Sequence, residues 1–438
     1  MIGAFVAEST PPDVARARAA AAVTDTIGVA LAGVSEPAAS IVRATLASDA
    51  QASCSIWGTG LRASAPDAAL ANGTSAHALD FDDMCFVSLA HPSAPLVPAV
   101  IAAGEVAGAS GRAVLDAYVI GFEIQARLGR LMNPRHYQRG WHCTSTLGTI
   151  SAAAGASRLL GLDAATTEHA LAIAASSASG LKENFGTMVK PLHAGLAARD
   201  GVMAALLAKG GLTGSAKAID GPQGYLRAFD AERTDLARET TDLGSRWEIF
   251  DTGITVKLYP SCAGTHPTLD ALLDLRAQHG FTEAEVDRIE VDVDPIVPTI
   301  LIYDRPSSAL EAKFSLPFCA AAAVVFGRVG IDTFDDEALR DSRIAALMPA
   351  VSMRVDEAIG RGKPALTEAR VRVRLKDGRS LVQEAHGARG YPANPATADQ
   401  LAAKFLACAS RAIGKARAEK LLSGLAAIDS LENMQAVI

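Results

Sequence analysis

Two imidazoles and three carboxylates lie close together near residue 80 of the sequence. The segment His77-Ala-Leu-Asp80-Phe-Asp82-Asp83 is followed a few residues later by His91. Charged residues make up only 20% of the chain, so this density of titratable side chains points to a functional site. Groups of these types either bind a metal ion or transfer protons to and from a substrate.

Four predicted helices begin beside a histidine or a lysine. Three of them start at a proline, where no amide hydrogen is needed, and His91, Lys190 or His266 lies just ahead. The fourth follows His142, and we expect the hydroxyl groups of residues 144–146 to cap it. Free amides at a helix start attract carboxylates and disfavour protonation of a neighbouring imidazole or ammonium. If the four starts converge, they predict a pocket that binds a polycarboxylate and supplies bases near neutral pH.

A histidine before a proline is also a common local helix cap, so one such site would not identify a catalytic group. The repeated use of the arrangement is what favours a shared site. Four other histidines lack such a setting, and we predict that they are surface or packing residues. They are His136, His169, His279 and His386.

The composition excludes several classes of partner. With 41 basic and 48 acidic residues, the formal charge is −7, and no basic stripe is present to bind a nucleic acid. No apolar stretch is long enough to cross a bilayer and the first residues do not form a secretion signal, so we expect no membrane partner. The six cysteines are spread singly, without a Cys-x-x-Cys pair, which favours reduced thiols and a cytoplasmic location.

The chain of 438 residues is predicted to contain more than one domain. Its residues are 49% hydrophobic but only 5% aromatic, so small side chains, alanine above all, are expected to let helices pack closely. From about residue 12 to 255 the pattern predicts one helix after another, with no clear strand.

After about residue 280 the hydrophobic pattern changes to a period of two. Residues 289–293, 351–355 and 369–375 alternate between apolar and polar side chains, and Asp377-Gly378 predicts a turn into a returning strand. This hairpin should have one solvent-exposed basic face. Helices are predicted between these strands, at residues 316–325 and 336–347.

The predicted fold class is therefore mainly α with an α+β second domain. An all-helical, Ala-rich body is interrupted by a smaller α+β lid, after which the C-terminal helices return to the body. The predicted boundaries are 1–258 for the first part of the helical domain, 259–394 for the lid and 395–438 for the C-terminal part of the helical domain.

Short motifs along nearly the whole chain carry a family resemblance. They are Asn72-Gly73, the segment 77–83, His91-Pro-Ser, Gly186-Thr-Met-Val-Lys-Pro-Leu-His-Ala-Gly-Leu-Ala-Ala, Lys257-Leu-Tyr-Pro-Ser-Cys with His266, and Ala312-Lys-Phe-Ser-Leu-Pro-Phe. With these motifs in this order, the sequence resembles the MmgE/PrpD family, which includes 2-methylcitrate dehydratase, cis-aconitate decarboxylase and iminodisuccinate epimerase. The Lys-Pro-Leu-His segment is highly specific.

The resemblance implies a helical domain completed by the C-terminal segment, an α+β lid, an active site between the two, and a homodimer. It also implies that the enzyme uses no metal and no organic cofactor. In the decarboxylase branch of the family, the active site is lined by the positions that match Asp80, His91, His142, Lys190 and His266. These positions include all four helix starts.

Two positions depart from the decarboxylase branch. That branch has threonine where this chain has Met84, and tyrosine where Phe318 falls. Each change removes a hydroxyl that would donate a hydrogen bond to the substrate or to a leaving group, which argues against decarboxylation of cis-aconitate itself. Tyr259 and Cys262 are the candidates to replace the lost groups.

The reactions of the family share a carbanion-like centre next to a carboxylate. Such a centre needs a base at the carbon and cations over the carboxylate. We assign carboxylate binding and charge stabilisation to Lys190 and His193, with His91 and His142 as candidate acid or base. Asp80 is expected to orient an imidazole and to stabilise its protonated form.

His266, from the lid, is predicted to be a third proton carrier. The rest of the first cluster, His77, Asp82 and Asp83, is predicted to be structural and to supply caps and hydrogen-bond anchors. The candidate substrate-binding residues are His193, Met84, Tyr259, Cys262 and Phe318.

The predicted function is a cofactor-independent lyase, similar to 2-methylcitrate dehydratase, that removes a proton next to a carboxylate of a small di- or tricarboxylate. An epimerase of a dicarboxylate such as iminodisuccinate is the alternative, because it needs proton carriers on both faces of one carbon. A metal-dependent hydrolase built on residues 77–91 is a remote alternative, since the three carboxylates cannot share one helical face. A non-catalytic binding protein is disfavoured by the many titratable groups at helix starts.

Overall fold

The chain divides into two compact units. The structure is a computed structural model, which describes residues 1–46, 52–360 and 367–434. The helical unit consists of Met1–Thr255 and Thr397–Ile438, and the mixed unit consists of Val256–Ala396. The predicted fold class, mainly α with a second α+β part, is confirmed.

Helices dominate the described chain, as the alanine-rich composition predicts. Those numbered α14 to α18 belong to the mixed unit and the others to the helical unit. In chain order the helices are α1 (Ile2–Glu8), α2 (Asp13–Gly33), α3 (Pro37–Thr45), α4 (Ala65–His77), α5 (Ser93–Ala107), α6 (Gly111–Met132), α7 (Arg135–Gln138), α8 (Cys143–Leu159), α9 (Ala164–Ser177), α10 (Val189–Lys209), α11 (Tyr225–Ala228), α12 (Leu236–Glu239), α13 (Glu248–Asp251), α14 (His266–His279), α15 (Ala309–Ala312), α16 (Leu316–Phe326), α17 (Asp336–Leu339), α18 (Ser342–Leu347), α19 (Ala398–Ile413) and α20 (Lys415–Ala426).

Small residues let the central helices of the helical unit approach one another closely. Helix α10 packs against α4 and α8, and α8 also packs against α5 and α6. At the crossing of α4 and α10, a Cβ atom on Gly73 would lie 2.9 Å from the Cα atom of Gly195. A Cβ atom on Gly195 would overlap Oγ1 of Thr74 and the carbonyl oxygen of Leu70. Only glycine fits at this contact, which brings the first turn of α10 near the end of α4.

The C-terminal helices return to the helical unit, as predicted. Helix α19 packs along α2, and α20 packs against α19. The ring of Phe405 on α19 fills the space beside Gly28 of α2, where a Cβ atom would lie 2.7 Å from Cδ2 of that ring. Side chains that are remote in sequence therefore meet along the contact between these two helices.

The mixed unit contains a four-stranded sheet with the strand order β4-β3-β5-β6. Strand β3 is parallel to β4 and antiparallel to β5, and β5 and β6 form the predicted antiparallel hairpin. Helices α14 and α16 pack against strands of this sheet. With the two strands of a small hairpin in the helical unit, the strands are β1 (Cys54–Ile56), β2 (Leu61–Ala63), β3 (Val286–Val293), β4 (Val351–Val355), β5 (Ala369–Leu375) and β6 (Ser380–Ala385).

The predicted basic face of β5 is confirmed, and it is also charge-paired. Val371 and Val373 are fully buried, whereas Arg370 and Arg372 alternate with them on the opposite face. The guanidinium of Arg372 lies 2.6 Å from the carboxylate of Asp292 on the neighbouring strand β3. Cross-strand ion pairs thus accompany the basic residues.

Two predictions about secondary structure are wrong. The helix predicted at residues 336–347 is two short helices, α17 and α18, because Asp341 caps a new helix by accepting a hydrogen bond from the backbone amide of Arg343. The hairpin of β1 and β2 was not predicted, because strands of three residues are too short to show a period of two.

Helix starts also differ slightly from the prediction. Helix α5 begins at Ser93, α10 at Val189 and α14 at His266. Lys190 and His266 therefore lie inside the first turns of their helices and not ahead of them. Proline is tolerated throughout a first turn, so it does not mark the first residue of a helix.

No single helix in the described parts of the chain is both long enough and apolar enough to span a membrane. The bent pair of α2 and α3 passes such a test on length and composition alone. Within this pair, most of α2 is buried inside the helical unit.

The glycine contact between α4 and α10 leads to a stability prediction. Gly195→Ala should lower the free energy of unfolding by about 1–3 kcal/mol, because the added methyl group overlaps the backbone of α4. Gly210→Ala, just beyond the other end of α10, is the matched control, since its Cβ atom would lie no closer than 3.3 Å to the carbonyl oxygen of Leu207. Urea unfolding followed by circular dichroism measures both values, and equal values for the two variants would contradict the packing argument.

Candidate active site

The chain that follows α4 carries the first cluster of titratable side chains. Helix α4 ends at His77, and Asp80 then adopts a left-handed backbone conformation with a φ of +51°. This conformation is unusual for a residue other than glycine and is typical of functional loops. The turn places Asp80, Asp82 and Asp83 in the interior of the helical unit, each less than 5% exposed.

Asp82 lies between two imidazoles. Its Oδ2 atom is 2.8 Å from Nδ1 of His77 and 3.1 Å from Nδ1 of His91. Burial opposes ionisation of Asp82, but its close contacts with His77 and His91 hold its pKa well below the usual value of 3.8. Burial in turn lowers the pKa of His77 to about 3. Asp82 is therefore an ionised carboxylate that accepts a hydrogen bond from a neutral His77.

A buried ammonium group lies beside the same cluster. Nζ of Lys190, in the first turn of α10, is 3.3 Å from Oδ1 of Asp80. The same oxygen is 3.6 Å from Nε2 of His91. His91 therefore has one ring nitrogen toward Asp82 and the other toward Asp80 and Lys190. Since Lys190 is only 4% exposed, its charge acts in a region of low dielectric constant.

Two further imidazoles complete the group. Nδ1 of His142, immediately ahead of α8, lies 3.0 Å from Nδ1 of His193 on α10, so one ring donates and the other accepts. Burial, followed by the charge of Lys190, holds the pKa of His142 well below 6.5 and lowers that of His193 to about 4. The ring of His142 also stacks on His77 with 5.8 Å between centroids. Both His142 and His193 are thus neutral near pH 7.

The predicted hydroxyl caps of α8 are wrong, since His142 precedes the helix without a side-chain cap. The hydroxyls instead connect α8 to other segments of the site. Oγ1 of Thr144 accepts a hydrogen bond from the backbone amide of His91 at 3.1 Å, and the hydroxyl of Ser145 donates to the carbonyl of His193 at 3.2 Å. These partners lie far away in sequence, so local helix rules do not identify them.

Asp83 is hydrogen-bonded to the first residue of α5. It accepts a hydrogen bond from the backbone amide of Ser93 at 3.1 Å and another from the Ser93 hydroxyl. Burial raises the pKa of Asp83 to about 8, although the bonds from Ser93 oppose this shift. Met84 follows in the same loop, is partly buried, and pairs through its backbone with Thr255.

The other predicted site residues belong to the mixed unit. His266 is the first residue of α14, and its Nε2 atom lies 3.2 Å from the carbonyl oxygen of Ser261. The ring of Tyr259 contacts that of His266 edge to face, and its hydroxyl donates to Asp270 at 2.5 Å. Burial and the charge of Asp270 raise the pKa of Tyr259, so its hydroxyl stays protonated.

Cys262 and Phe318 are also buried in the mixed unit. The backbone amide of Cys262 donates to the carbonyl of Lys313 at 3.0 Å. Phe318 is 1% exposed and packs against Phe334 with 5.9 Å between ring centroids. Phe318 therefore contributes to the hydrophobic core of this unit.

A cation could in principle be held by the first cluster. His77, Asp80, Asp82 and His91 each offer a ligand atom, and these four atoms lie within 4.8 Å of one another. These ligand atoms already contact other groups of the cluster, however. Nδ1 of each imidazole faces Asp82, and the ammonium of Lys190 faces Asp80. We therefore interpret the cluster as a network of hydrogen-bonded imidazoles and carboxylates in which the ammonium of Lys190 supplies the positive charge.

The sequence predicts a structural role for Asp82 and His77, and it does not single out Phe185. The motif around residues 77–83 was the available signal for Asp82 and His77, but it did not show which carboxylate faces which ring. Phe185 lies against His142 at 4.9 Å between centroids and against the Lys190 ammonium at 5.4 Å. No pattern in the sequence distinguishes this apolar residue from an ordinary packing residue.

Comparison with known protein families extends over nearly the whole chain. The MmgE/PrpD N-terminal domain matches residues 2–235, and the MmgE/PrpD C-terminal domain matches residues 259–428. The chain belongs to the MmgE/PrpD family. It is accordingly an enzyme of the MmgE/PrpD type, a class that comprises lyases and isomerases, and the resemblance seen in its motifs is confirmed.

Several relatives of this MmgE/PrpD chain carry related names. It is 30% identical over 401 residues to the cis-aconitate decarboxylase-like protein oryM of Aspergillus oryzae, a match that covers 86% of this chain and 82% of that protein. The cis-aconitate decarboxylase of Mus musculus is 28% identical over 94% of this chain and 86% of its own length. That of Aspergillus terreus is 25% identical over 98% of this chain and 92% of its own length.

His136 is a buried packing residue that contacts the first turn of α8. Its Nδ1 atom lies 2.6 Å from the carbonyl oxygen of Phe229, and its Nε2 atom lies 2.8 Å from Oγ1 of Thr146. Burial lowers its pKa to about 4, although the bond to Phe229 opposes the shift. His136 is therefore neutral in the folded protein at pH 7.

This burial predicts how stability depends on pH. Because the pKa of His136 falls from 6.5 to about 4 on folding, the unfolded chain binds more protons between these values, and stability is lost as the pH falls through them. His136→Gln should flatten that loss by up to about 1.4 kcal/mol per pH unit. Thr146→Val, which removes the same hydrogen bond without removing a titratable group, should lower stability but keep the slope. Urea unfolding between pH 7 and pH 4.5 measures both, and identical slopes for His136→Gln and the unmodified protein would refute the assignment.

Proposed function

We propose that this protein is a cofactor-independent lyase that acts on a small tricarboxylate by proton transfer next to a carboxylate. The observation that carries this proposal is the buried ammonium of Lys190 among neutral imidazoles, with an ionised Asp82 behind His91. Such a group offers a cation for a substrate carboxylate and bases for a carbon-bound proton. The names of the relatives support a lyase of tricarboxylates.

In this scheme Lys190 binds a substrate carboxylate and stabilises the charge that develops on it when the neighbouring carbon loses a proton. His193 assists it. His91 and His142 exchange the protons, because an imidazole can both accept and donate a proton near neutral pH. Asp82 contacts Nδ1 of His91 and so orients the ring. Nε2 then faces Asp80 and Lys190, where we place the substrate. The carboxylate then stabilises the imidazolium that forms, as an acidic residue behind a catalytic histidine does.

We further propose that His266 is the third proton carrier and that Tyr259 and Cys262 take part in substrate binding. The hydroxyl of Tyr259 donates to Asp270, so it would act mainly by orienting His266, whose ring it contacts. The expected homodimer and the cytoplasmic location remain part of the proposal. They rest on the family resemblance and on the single cysteines of the sequence.

Elimination of water, as in 2-methylcitrate dehydratase, is the proposed reaction within this class. Met84 stands four residues after Asp80 in the site loop, and its thioether cannot donate the hydrogen bond that a threonine hydroxyl supplies. Phe318 likewise offers no hydroxyl. The chain therefore lacks two donors of the decarboxylase branch, although its named relatives are cis-aconitate decarboxylases.

One experiment tests the proposal directly. The purified protein is incubated in heavy water with 2-methylcitrate, citrate, cis-aconitate and iminodisuccinate, and products are followed by mass, chirality and ultraviolet absorbance. A dehydratase yields a conjugated double bond, a decarboxylase releases carbon dioxide, and an epimerase changes optical rotation alone. We expect loss of water from a hydroxylated tricarboxylate, and no inhibition by a chelator. Turnover without exchange or removal of a carbon-bound proton or carboxylate would overturn the scheme.

The role of Asp82 gives a second test. Asp82→Asn should lower kcat by about 10²–10⁴-fold, because His91 loses the anion that stabilises its protonated form. The variant should also shift the acidic limb of the kcat profile to lower pH, since an imidazole without a neighbouring carboxylate is easier to deprotonate.

Asp83→Asn is the matched control. Asp83 is held protonated near pH 7 by a pKa of about 8, so an amide of the same shape can replace it, with its oxygen accepting from the backbone amide of Ser93 and its NH2 group donating to the Ser93 hydroxyl. Its kcat should stay within about threefold of that of the unmodified protein. If Asp82→Asn behaves like Asp83→Asn, Asp82 is only a structural anchor.

A further inference from the structure

A single lysine from the C-terminal helices reaches the loop of the first cluster. Nζ of Lys404, on α19, lies 2.8 Å from the carboxylate of Asp25 on α2 and donates a hydrogen bond of 2.8 Å to the carbonyl oxygen of Phe81. The same ammonium lies 4.2 Å from the centroid of the Phe81 ring. Its side chain is only 4% exposed, so these contacts take the place of hydration.

The carbonyl that Lys404 holds is part of the peptide between Phe81 and Asp82. Asp80, on the other side of Phe81, adopts the left-handed conformation with a φ of +51°. A backbone in this region persists only where its surroundings hold it. The hydrogen bond from Lys404 holds the plane of the peptide between Phe81 and Asp82, and so limits where the carboxylate of Asp82 can point.

The buried acidic side chains near Lys404 influence one another's ionisation. Burial raises the pKa of Asp25, and Lys404 opposes that shift while Asp82 adds to it. Asp82 and Asp25 likewise add to the raised pKa of Asp83. Three buried acidic side chains thus interact in this region, and the ammonium of Lys404 pairs with one of them, Asp25.

We propose that Lys404 is a positioning residue, which orients the loop of Asp80 and Asp82 toward His91 and Lys190. Its role in turnover rests on the proposed function, but its role in holding the loop does not. The last helices supply a cation that no side chain of the loop itself provides.

The decisive variant is Asp25→Asn combined with Lys404→Met, which removes the ion pair without leaving a buried unpaired charge. We expect native circular dichroism, a kcat lowered by about 10–100-fold, and a KM changed by less than about threefold. Asp25→Asn alone keeps the donor to Phe81 and should lose much less activity. The comparison isolates the bond to Phe81, because both variants lack the ion pair.

Arg16→Met is the control for a lost ion pair elsewhere on α2. Nε of Arg16 lies 2.6 Å from Oδ1 of Asp116 on α6, an ion pair that includes no residue of the loop after α4. This variant should lower the thermal midpoint without lowering kcat. If the Lys404 double variant and Arg16→Met lose stability and activity in the same proportion, Lys404 is merely structural and the proposal fails.

A readout without substrate separates this proposal from the proposed function. Nitrogen NMR of the imidazole rings reports which nitrogen of His91 carries the proton and how strongly it is hydrogen bonded. The unmodified protein should show a protonated Nδ1 in a strong hydrogen bond to Asp82, and the double variant should lose that signal. An unchanged spectrum overturns the positioning role even if the enzyme acts on none of the tested acids. If the double variant does not fold, Lys404→Arg takes its place, with a kcat expected to fall by at least about fivefold because its planar donors cannot reproduce the bond to Phe81.

Discussion

A charged side chain buried inside the alanine-rich helical unit needs a neighbouring group of opposite charge or a hydrogen-bond partner. The arrangement of the site depends on this requirement. Asp82 is shared by His77 and His91, Asp80 faces Lys190, and Asp25 faces Lys404. An unpaired charge at such depth costs several kcal/mol. The partners lie on different helices or at different helix ends. The charge pairs therefore connect these helices to one another at the site.

The close packing of small residues makes these pairs possible. The crossing of α4 and α10 at Gly73 and Gly195 brings the first turn of α10, with Lys190, to the loop after α4. His142 ahead of α8 then meets His193 on α10. The same burial that stabilises the body removes water from the imidazoles and keeps them neutral. Stability and proton chemistry thus have a common physical origin in the helical unit.

Much of the fold was predictable because its signals are local. The period of two in residues 289–293, 351–355 and 369–375 predicted strands that are present, and the Asp377-Gly378 turn predicted the hairpin. The short strands of β1 and β2 carry no such period, and the break at Asp341 depends on one capping bond. Prediction therefore succeeded where a pattern extends over several residues and failed where a single contact decides.

By itself, the sequence determined which residue types stand at the helix starts, that the chain is mainly helical with a second α+β part, and that it resembles the MmgE/PrpD family. Tertiary structure alone decided the pairing of those residues. In the folded chain, Asp82 as well as Asp80 lies beside His91. The hydroxyls of Thr144 and Ser145 bond to backbone groups that are remote in sequence. The ammonium of Lys404 donates to the carbonyl of Phe81. The physical reason is that local patterns encode burial and helix ends, whereas the partner of a buried charge depends on where helices distant in sequence cross.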